Sequence, residues 1–568
     1  MHILFLTHAF NSLTQRLFVE LQEQGHEVSV EFDIHDNFSL EAVELYQPDL
    51  VIASFLKRAI PEQLWRNHVC LIVHPGIRGD RGPSALDWAI LNGEDRWGVT
   101  VLQANAEMDA GDIWTFSEFQ MHTDTKARIY RNEITNAAVD AVLQAVQRYQ
   151  AGDFMPQSLD YNDPKIQGEL RPQIQQSDRA INWQQDDSET VLRKIHCADG
   201  FPGVLDNLLG RELFLYDAHA EGTLTGKPGE VIALCGSAIC RATMDGAVWI
   251  GHLRDKQAEH PFKLPSTMLL QEELAGIPEV QPELDSGYRD IWYEEHGGVG
   301  YLHFPFYNGA MGSEQCERLR QAYIKARQHD TKVIVLMGGP DYWSNGMHLN
   351  LIEAAESPAD ESWRNINAIN DLALEIINTD SHLTVAALQG NAGAGGIFLA
   401  RSCDEVWSRE GVILNPHYKD MGNLYGSEYW TYLLPRYAGA ENVERITQGR
   451  LPMSAKEAHG LGLVNAVFEQ DISSFVVELQ LRATAMANAP AYESQIESKN
   501  RNRAIDEARR PLQQYRDEEL ECMRLNFYGF DPSYHVARYN FVYKIPKSRT
   551  PITIAKHRRV AGRMRRVS

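Results

Sequence analysis

The segment 71–76, Leu71-Ile72-Val73-His74-Pro75-Gly76, is a short apolar run that ends in a histidine and a turn. Such a run predicts a buried strand with the His74 imidazole at its carboxyl end. Further apolar runs occur upstream, separated by helix-like stretches, at 3–6, 28–30 and 50–53. This alternation predicts a Rossmann-like α/β domain with a parallel sheet, in which ligands bind at the carboxyl edge of the strands. No GxGxxG fingerprint follows the first strand, so dinucleotide binding has little support.

The composition is that of a soluble globular chain. Of the 568 residues, 43% are hydrophobic and 23% are charged, which excludes disordered and membrane-spanning classes and suits several domains. The net charge of -23 argues against nucleic acid or an anionic membrane as a partner. The basic exception is 532–568, with ten Lys and Arg and no acid. Seven cysteines without a CxxC motif, and a start that lacks a signal-peptide pattern, indicate a cytoplasmic protein with reduced thiols and no bound metal.

The pattern of predicted elements changes along the chain. One long helix is expected over 124–148, and strand-like segments near 230–234 and 247–250 indicate a small β domain. Later, apolar residues recur at helical spacing before a strand at 333–337; they are Cys316, Leu319, Tyr323 and Ala326. We therefore expect an α/β multidomain protein with four regions: a Rossmann-like domain at 1–165, a small barrel-like β domain at 175–285, a second α/β domain at 295–490, and a helical extension with a basic tail at 491–568.

A first candidate site joins His74 to a carboxylate about 35 positions later. Asp109 lies in the turn-like segment 108–112, which follows a predicted strand at 98–102. A histidine and a carboxylate brought together can move protons during acyl transfer. Taken alone, the two residues fit equally simple roles, a loop histidine and a turn-forming aspartate.

Several short motifs in the first half share one pattern. They are His74-Pro75, Arg81-Gly82-Pro83-Ser84, Trp88-Ala89-Ile90, Gly98-Val99-Thr100 and Asp109-Ala110-Gly111-Asp112, followed by Ile181-Asn182-Trp183 and Phe201-Pro202-Gly203. Together they resemble the folate-dependent formyltransferases over about residues 1–270, the last two motifs matching that family's barrel-like domain. The resemblance implies formyl transfer from 10-formyltetrahydrofolate, with His74 and Asp109 as two of the three catalytic residues.

The third catalytic residue of that family is an Asn two positions before the His, and here the position is Ile72. Another donor must then hold the oxyanion, and the imidazolium of His74 can serve. Gln15, Ser84 and Arg131 are candidate cofactor contacts. The residues themselves fit plainer roles as well, such as a helix cap and a surface charge.

A second candidate site lies in the later α/β domain. The strand at 333–337 leads to the loop 344–349, and the strand at 385–388 leads to the glycine-rich loop 390–396 and a helix. Glycines let a backbone approach a ligand closely, and two facing N–H groups make an oxyanion hole. A glycine-rich loop alone fits plain packing equally well.

With Cys403-Asp404 and the segment 455–464, this pattern resembles the crotonase (enoyl-CoA hydratase/isomerase) superfamily over about residues 295–490. The resemblance implies acyl-CoA binding, with the thioester carbonyl polarised by the N–H groups of Met347 and Gly395. The two Glu residues of hydratases fall on Phe398 and on His417 or Tyr418. Water addition to an enoyl-CoA is therefore not expected, and Tyr418 and Glu428 are the candidate acid and base.

The fusion of these two halves resembles the HypX/HoxX family of hydrogenase maturation factors. The segments 306–311, 344–350 and 361–369 resemble sequence motifs of that family. The resemblance implies synthesis of the carbon monoxide ligand of nickel–iron hydrogenases, by formyl transfer from 10-formyltetrahydrofolate to coenzyme A and decarbonylation of formyl-CoA. It implies folate and coenzyme A as substrates, no metal, and contact with other hydrogenase maturation proteins.

The basic tail offers a place for the phosphates of coenzyme A, with Lys544 and Arg549 as candidate contacts. A solvated terminus and a contact with an acidic partner fit the same charges. Two other functions stay open at this point. One is a formyltransferase for an amine or a nucleotide sugar with a non-catalytic crotonase-like domain, and the other is a docking module for the hydrogenase precursor.

Overall fold

The computed structural model describes residues 1–259, 261–281, 287–468 and 471–559. The chain forms two compact units. Unit 1 is Met1–Tyr288 together with the segment that begins at Lys547, and unit 2 is Arg289–Pro546. Each unit contains its own sheets, and the predicted α/β multidomain class is confirmed.

The first domain of unit 1 is a six-stranded sheet with helices. The strands are β1 (His2–Thr7), β2 (Glu27–Phe32), β3 (Leu50–Phe55), β4 (Cys70–His74), β5 (Arg96–Gln103) and β6 (Ile113–Gln120). The helices are α1 (Ser12–Glu23), α2 (Asp36–Tyr46), α3 (Glu62–Asn67), α4 (Ala85–Asn92), α5 (Lys126–Ile129) and α6 (Thr135–Ala151). A π-helical turn at Tyr130–Ile134 joins α5 to α6, so these three elements make up the helix expected over 124–148.

The strand order of this sheet is β2-β1-β3-β4-β5-β6. The pairs among the first four strands are parallel, as the alternation of strand and helix predicts, whereas β5 pairs antiparallel with both β4 and β6. The buried faces of β1 and β3 are almost wholly apolar, which is typical of strands covered on both sides. His74 ends β4, and it therefore lies at the carboxyl edge of the parallel part of the sheet.

The second domain of unit 1 is the small β domain. It contains α7 (Ser188–His196), β7 (Val204–Leu208), β8 (Arg211–Ala220), β9 (Val231–Cys235), β10 (Ala238–Ala242), β11 (Ala247–Asp255), β12 (Leu264–Pro265) and α8 (Ser266–Leu269). The strand order is β7-β8-β11-β10-β9, with β12 on β11. In the described ranges the two end strands do not pair with each other, so this barrel-like sheet is open.

The segment of unit 1 that begins at Lys547 covers β2, the outer strand of the first sheet. The N–H of Val30 donates to the carbonyl of Ile554 at 3.0 Å. Beside it, the buried carboxylate of Glu31 accepts from Thr550 Oγ1 at 2.5 Å and contacts His557 Nε2 at 2.8 Å. Because an exposed edge strand is a template for unwanted pairing, this cover protects the sheet.

Unit 2 contains two sheets. The strands are β13 (Trp292–His296), β14 (Val299–His303), β15 (Val333–Leu336), β16 (Tyr342–Ser344), β17 (Leu383–Leu388), β18 (Asn391–Gly393), β19 (Glu405–Arg409), β20 (Ile413–Asn415), β21 (Met453–Ser454) and β22 (Ala466–Phe468). One sheet has the order β13-β14-β15-β17-β19-β22, and the other has the order β16-β18-β20-β21. The parallel strands β15 and β17 both lead into loops of the second candidate site.

The helices of unit 2 surround these sheets. They are α9 (Ser313–Ala326), α10 (Leu349–Ala354), α11 (Pro358–Ile377), α12 (Gly395–Arg401), α13 (Trp430–Tyr437), α14 (Val443–Gln448), α15 (Ala455–Gly460), α16 (Ile472–Ala487), α17 (Tyr492–Arg509), α18 (Leu512–Tyr528) and α19 (Ser533–Val542). A proline at 511 separates α17 from α18. Across the described ranges, none of the helices combines the length and the apolar character needed to cross a bilayer.

Candidate active sites

The first site is built around His74, whose side chain is buried. Its Nε2 lies 2.9 Å from Asp80 Oδ1, and its Nδ1 lies 3.6 Å from Asp109 Oδ2. The structure thus brings the predicted His74 and Asp109 together. It adds Asp80, which the sequence analysis missed. The imidazole therefore has a carboxylate on each side.

The loop after β4 is shaped to admit this arrangement. A Cβ at Gly76 would lie 2.5 Å from His74 Nε2 and 2.6 Å from Asp80 Oδ1, so only glycine fits there. Thr100 Oγ1 donates to the carbonyl of Gly76 at 2.9 Å and fixes the turn. On the other side, Asp109 adopts a left-handed φ of 52° and accepts from the N–H of Gly82 at 3.2 Å. Such a conformation costs a non-glycine residue energy and is often found at functional sites.

The two carboxylates set the charge of the imidazole. Burial lowers the pKa of His74, but the hydrogen bond to Asp80 and the negative charges of Asp109 and Asp80 outweigh it and leave the pKa raised. A histidine with a raised pKa is protonated over a wider range near neutral pH. It can therefore hold a proton for a leaving group and present a positive charge to an oxyanion.

The predicted cofactor contacts of unit 1 lie on three elements. Gln15 is on α1, and its Nε2 donates to the carbonyl of Phe10 at 2.8 Å. Ser84 is at the start of α4 and accepts from the N–H of Ile174 at 3.2 Å. Arg131 is in the π-helical turn. Their role toward a cofactor stays a prediction.

Ile72 packs against an apolar cluster of the sheet. The structure therefore shows an apolar contact where the formyltransferase pattern has an amide donor.

The second site is built around the buried pair Tyr418 and Glu428. Tyr418 Oη donates to Glu428 Oε2 at 2.6 Å, so the predicted acid and base are in direct contact. The ring of Tyr418 stacks on Phe398, with centroids 5.5 Å apart and planes inclined by 21°. Phe398, the position at which the crotonase resemblance predicts the first hydratase Glu, thus forms an apolar wall beside the pair.

Glu428 faces the glycine-rich loop. A Cβ at Gly395 would lie 2.1 Å from Glu428 Oε1, so the carboxylate occupies the space that the missing side chain leaves. A Cβ at Gly346 would lie 3.4 Å from the backbone nitrogen of Gly395, which brings the loop of Gly346 and Met347 close to the start of α12. The structure therefore places the predicted oxyanion-hole position Gly395 next to Glu428 at the start of α12, with the loop that carries Met347 close to it.

Burial controls the acidity of this pair. It raises the pKa of Glu428 to about 7, against the lowering effect of the hydrogen bonds from Tyr418 and from the N–H of Ser427. It also raises the pKa of Tyr418 well above its usual value, aided by the negative charge of Glu428. At neutral pH the carboxylate is therefore balanced between its two forms, as a general base requires, while the phenol keeps its proton.

The segment that carries Glu428 is unusual. Glu428 and Tyr429 both adopt left-handed φ values, 60° and 58°. Two such residues in a row cost on the order of 1 kcal/mol each or more and persist only when the surroundings hold them. The neighbours that do so include Asn370 and Glu519, and neither was predicted. They lie 58 and 91 positions from Glu428 along the sequence, too far for any spacing pattern to point to them.

The predicted basic contacts Lys544 and Arg549 have separate surroundings. Lys544 follows α19, and its Nζ lies 4.3 Å from the centroid of the Phe541 ring. Arg549 belongs to unit 1, where it forms an ion pair with Glu41 and lies over Phe38. Their role toward phosphates stays a prediction. No group of three or more His, Cys, Asp or Glu side chains positioned to hold a metal ion was found within the described ranges.

Three family profiles match the chain. The formyl transferase family matches residues 15–146, the formyl transferase C-terminal domain matches 173–261, and the enoyl-CoA hydratase/isomerase family matches 296–526. The two units thus carry the two kinds of domain that the sequence motifs resemble.

Similarity to whole proteins spans both units. The hydrogenase maturation factor HoxX of Bradyrhizobium diazoefficiens is 57% identical over 565 residues, which is 99% of each chain. The crystal structure of HypX from Aquifex aeolicus in complex with tetrahydrofolic acid matches with a TM-score of 0.95 at 50% identity, covering 98% of each chain. The methionyl-tRNA formyltransferase of Syntrophus aciditrophicus is 27% identical over 204 residues, which is 35% of this chain and 63% of its own.

Proposed function

The chain belongs to the HoxX/HypX family of hydrogenase maturation factors, and on that premise we propose that it produces carbon monoxide for the active site of a nickel–iron hydrogenase. The first step transfers the formyl group of 10-formyltetrahydrofolate to the thiol of coenzyme A. The second step splits formyl-CoA into carbon monoxide and coenzyme A. Unit 1 carries the first step and unit 2 carries the second.

In the first step, the sulfur of coenzyme A attacks the formyl carbon, and the bond from that carbon to N10 of the folate breaks. The thiol proton passes to N10 by way of His74, so the products are formyl-CoA and tetrahydrofolate. Asp80 and Asp109 stabilise the imidazolium that forms during this transfer. The positive charge also stabilises the oxyanion, in place of the Asn that the family pattern has at position 72.

In the second step, Glu428 removes the formyl proton, and the C–H electron pair becomes the lone pair on the carbon of carbon monoxide. The C–S bond breaks with its electrons on sulfur, and Tyr418 protonates the thiolate. Glu428 then returns its proton to Tyr418 through their hydrogen bond, so no net proton is gained or lost. The N–H groups of Met347 and Gly395 polarise the thioester carbonyl as the reaction begins.

One observation supports this second step above the others. Burial raises the pKa of Glu428 to about 7, and among the described residues its carboxylate has no ion pair. It accepts from the Tyr418 phenol at 2.6 Å and lies against Gly395 of the glycine-rich loop. A pair with these properties suits proton removal in a dry site. A non-catalytic domain kept for packing has no need of an acid and base pair that is costly to bury.

The experiment supplies the protein with 10-formyltetrahydrofolate and coenzyme A and traps carbon monoxide on reduced haemoglobin. We expect the wild type to form carbon monoxide, Glu428→Gln to accumulate formyl-CoA, and His74→Ala to form neither. Added formyl-CoA should restore carbon monoxide with His74→Ala. Equal amounts from both variants would contradict the assignment, and folate turnover without coenzyme A would favour an amine or nucleotide-sugar formyltransferase.

The remaining roles belong to the same proposal. Gln15, Ser84 and Arg131 contact the folate or coenzyme A, and Lys544 and Arg549 contact the phosphates of coenzyme A. Each is tested by substitution with Ala, which should raise KM for one substrate with a smaller change in kcat. We place the protein in the cytoplasm, with the domains before Lys547 divided at the boundaries expected from the sequence and the segment from Lys547 on assigned to unit 1.

A further inference from the structure

Helix α18 contributes a fully buried carboxylate next to the second site. Glu519 is 0% exposed. Its Oε2 accepts from Ser427 Oγ at 3.1 Å and from the N–H of Tyr429 at 3.0 Å, and its Oε1 accepts from the N–H of Thr431 at 2.9 Å and from Thr431 Oγ1 at 2.5 Å. In the part of the chain that the structure describes, no cationic nitrogen lies within 4.0 Å of it. The four donors are thus its only direct compensation for burial.

These contacts make Glu519 the cap of a helix that has no cap of its own. Helix α13 begins at Trp430, and the preceding residue Tyr429 makes no side-chain capping bond. The N–H groups of Tyr429 and Thr431 at its start would otherwise be unsatisfied. Glu519 satisfies both from a distant helix, and its negative charge suits the positive end of the α13 dipole.

A second anchor joins this cap to Glu428. Asn370 Oδ1 accepts from the N–H of Glu428 at 2.9 Å, and Asn370 Nδ2 donates to Ser427 Oγ at 2.9 Å. Ser427 therefore lies between Asn370 and Glu519, while its own N–H donates to Glu428 Oε2 at 3.2 Å. The chain conformation at Glu428 is thus fixed from both sides by buried polar groups.

We propose that Glu519 is a positioning residue for Glu428: through Ser427 and the start of α13, its carboxylate holds the left-handed pair Glu428–Tyr429 in the geometry that aims the Glu428 side chain at the glycine-rich loop. This inference rests on the proposed function, because it assigns a role toward the proposed base. It also predicts that protonation of Glu519 loosens that geometry.

The number of donors explains why the charge matters. An ionised carboxylate accepts about four hydrogen bonds, which matches the four donors here, whereas a protonated carboxyl group must turn one oxygen into a donor. Protonation would therefore remove the negative charge at the start of α13 and reverse the bond with Ser427 Oγ or Thr431 Oγ1, so the arrangement of four donors around one carboxylate would be lost.

Protonation occurs in an accessible pH range. Burial raises the pKa of Glu519 to about 7, in part opposed by the bonds from Thr431 and Ser427, and the negative charge of Glu428 raises it further. The other titratable or charged groups around it come from α18, from the segment before α13 and from α11; they are Arg516, Cys522, Tyr418, Tyr425, Tyr429 and Asp371. Asp371 is paired with Arg516 at 2.6 Å, and the negative charge that raises the pKa of Glu519 is that of Glu428.

The first test is the rate at which formyl-CoA is converted to carbon monoxide across pH 5 to 9. Glu519→Gln should lower kcat on the order of 10-fold to 100-fold with little change in KM, because it misplaces the base without removing a substrate contact. Its pH profile should also lose one of the two ionisations of the wild type, which a purely structural role would not cause. Glu519→Asp should recover part of the rate. The matched control is Glu518→Gln, an exposed neighbour on the same helix, which should keep the wild-type profile.

The second test needs no turnover. Infrared spectra recorded from pH 5 to 9 follow the carbonyl stretch of protonated carboxyl groups, and the band lost in Glu428→Gln identifies Glu428. Because the coupling of the two charges is reciprocal, Glu519→Gln should lower the pH at which the Glu428 band disappears. The inference would be overturned if Glu519→Gln left the Glu428 titration unchanged. It would also be overturned if the wild type formed carbon monoxide and Glu519→Gln kept the wild-type pH profile. If formyl-CoA is not a substrate but the Glu428 titration moves, the positioning role stands and the proposed function fails.

Discussion

Glu428→Gln should make the protein more stable at alkaline pH while it removes the proposed base. The structure buries Glu428 to 1% exposure and gives its carboxylate no cationic partner among the described residues. The ionised form is therefore costly in the folded state, and the pKa rises from 4.5 to about 7. Glutamine has nearly the same shape and can still accept the hydrogen bond of Tyr418, so the substitution mainly removes the charge.

The size of the effect follows from the difference between the two pKa values. The folded state holds its proton more tightly than the unfolded chain, so the free energy of unfolding of the wild type falls as the pH rises from about 4.5 through about 7. Integrated between pH 5 and pH 8, the loss is about 2.5 kcal/mol. Glu428→Gln has no such ionisation. Its stability relative to the wild type should therefore increase by about 2.5 kcal/mol over this interval.

Urea unfolding at pH 5 and at pH 8 measures this difference, since the change in free energy is the shift in midpoint multiplied by the slope m. Exposed Glu478 on α16 of the same unit supplies the control, and Glu478→Gln should follow the wild type at both pH values. A difference between Glu428→Gln and the wild type that is the same at pH 5 and pH 8 would refute the assignment of a buried, uncompensated carboxylate.

Three further outcomes are expected. Gly76→Ala places a Cβ 2.5 Å from His74 Nε2, so tetrahydrofolate release should fall on the order of 10-fold or more, while added formyl-CoA still yields carbon monoxide. Asp80→Asn removes a charge that raises the pKa of His74, so the ionisation of His74 in the formyl-transfer pH profile should move to lower pH. His557→Ala removes the buried partner of Glu31 and leaves a cavity beside that carboxylate. The free energy of unfolding measured in urea should therefore fall by about 3 kcal/mol.

Local patterns in the sequence predicted the elements well. The four residues of 316–326 at helical spacing are the ones that α9 buries, because a helix with one apolar stripe must turn that stripe to the core. The strand that ends at His74 and the glycine loop before α12 were also placed correctly, since strand runs and glycine turns leave a signal within a few residues. The antiparallel direction of β5 left no such signal, because its apolar run is the same in either direction.

The contacts that tune the two sites lie beyond such patterns. Asp80 reaches His74 because the loop after β4 turns back at Gly76, and the spacing of six residues is not that of a helix or a strand. Glu519 contacts the segment around Glu428 from α18, a helix whose sequence predicts only a charged and exposed surface. A buried carboxylate is recognised only when the tertiary structure shows which donors surround it.

The proposed chemistry also explains why an apolar ring stands where a hydratase has a carboxylate. A formyl thioester that meets activated water gives formate instead of carbon monoxide, so the site must remove a proton without activating water. Phe398 stacks on Tyr418 and leaves Glu428 as the carboxylate in contact with the phenol. Burial raises the pKa of Glu428, and an apolar ring beside its partner Tyr418 adds no polar group that would offset this burial. An apolar ring at position 398 and a base whose pKa is raised to about 7 therefore suit the same proposed reaction, in which a proton is removed and water is not activated.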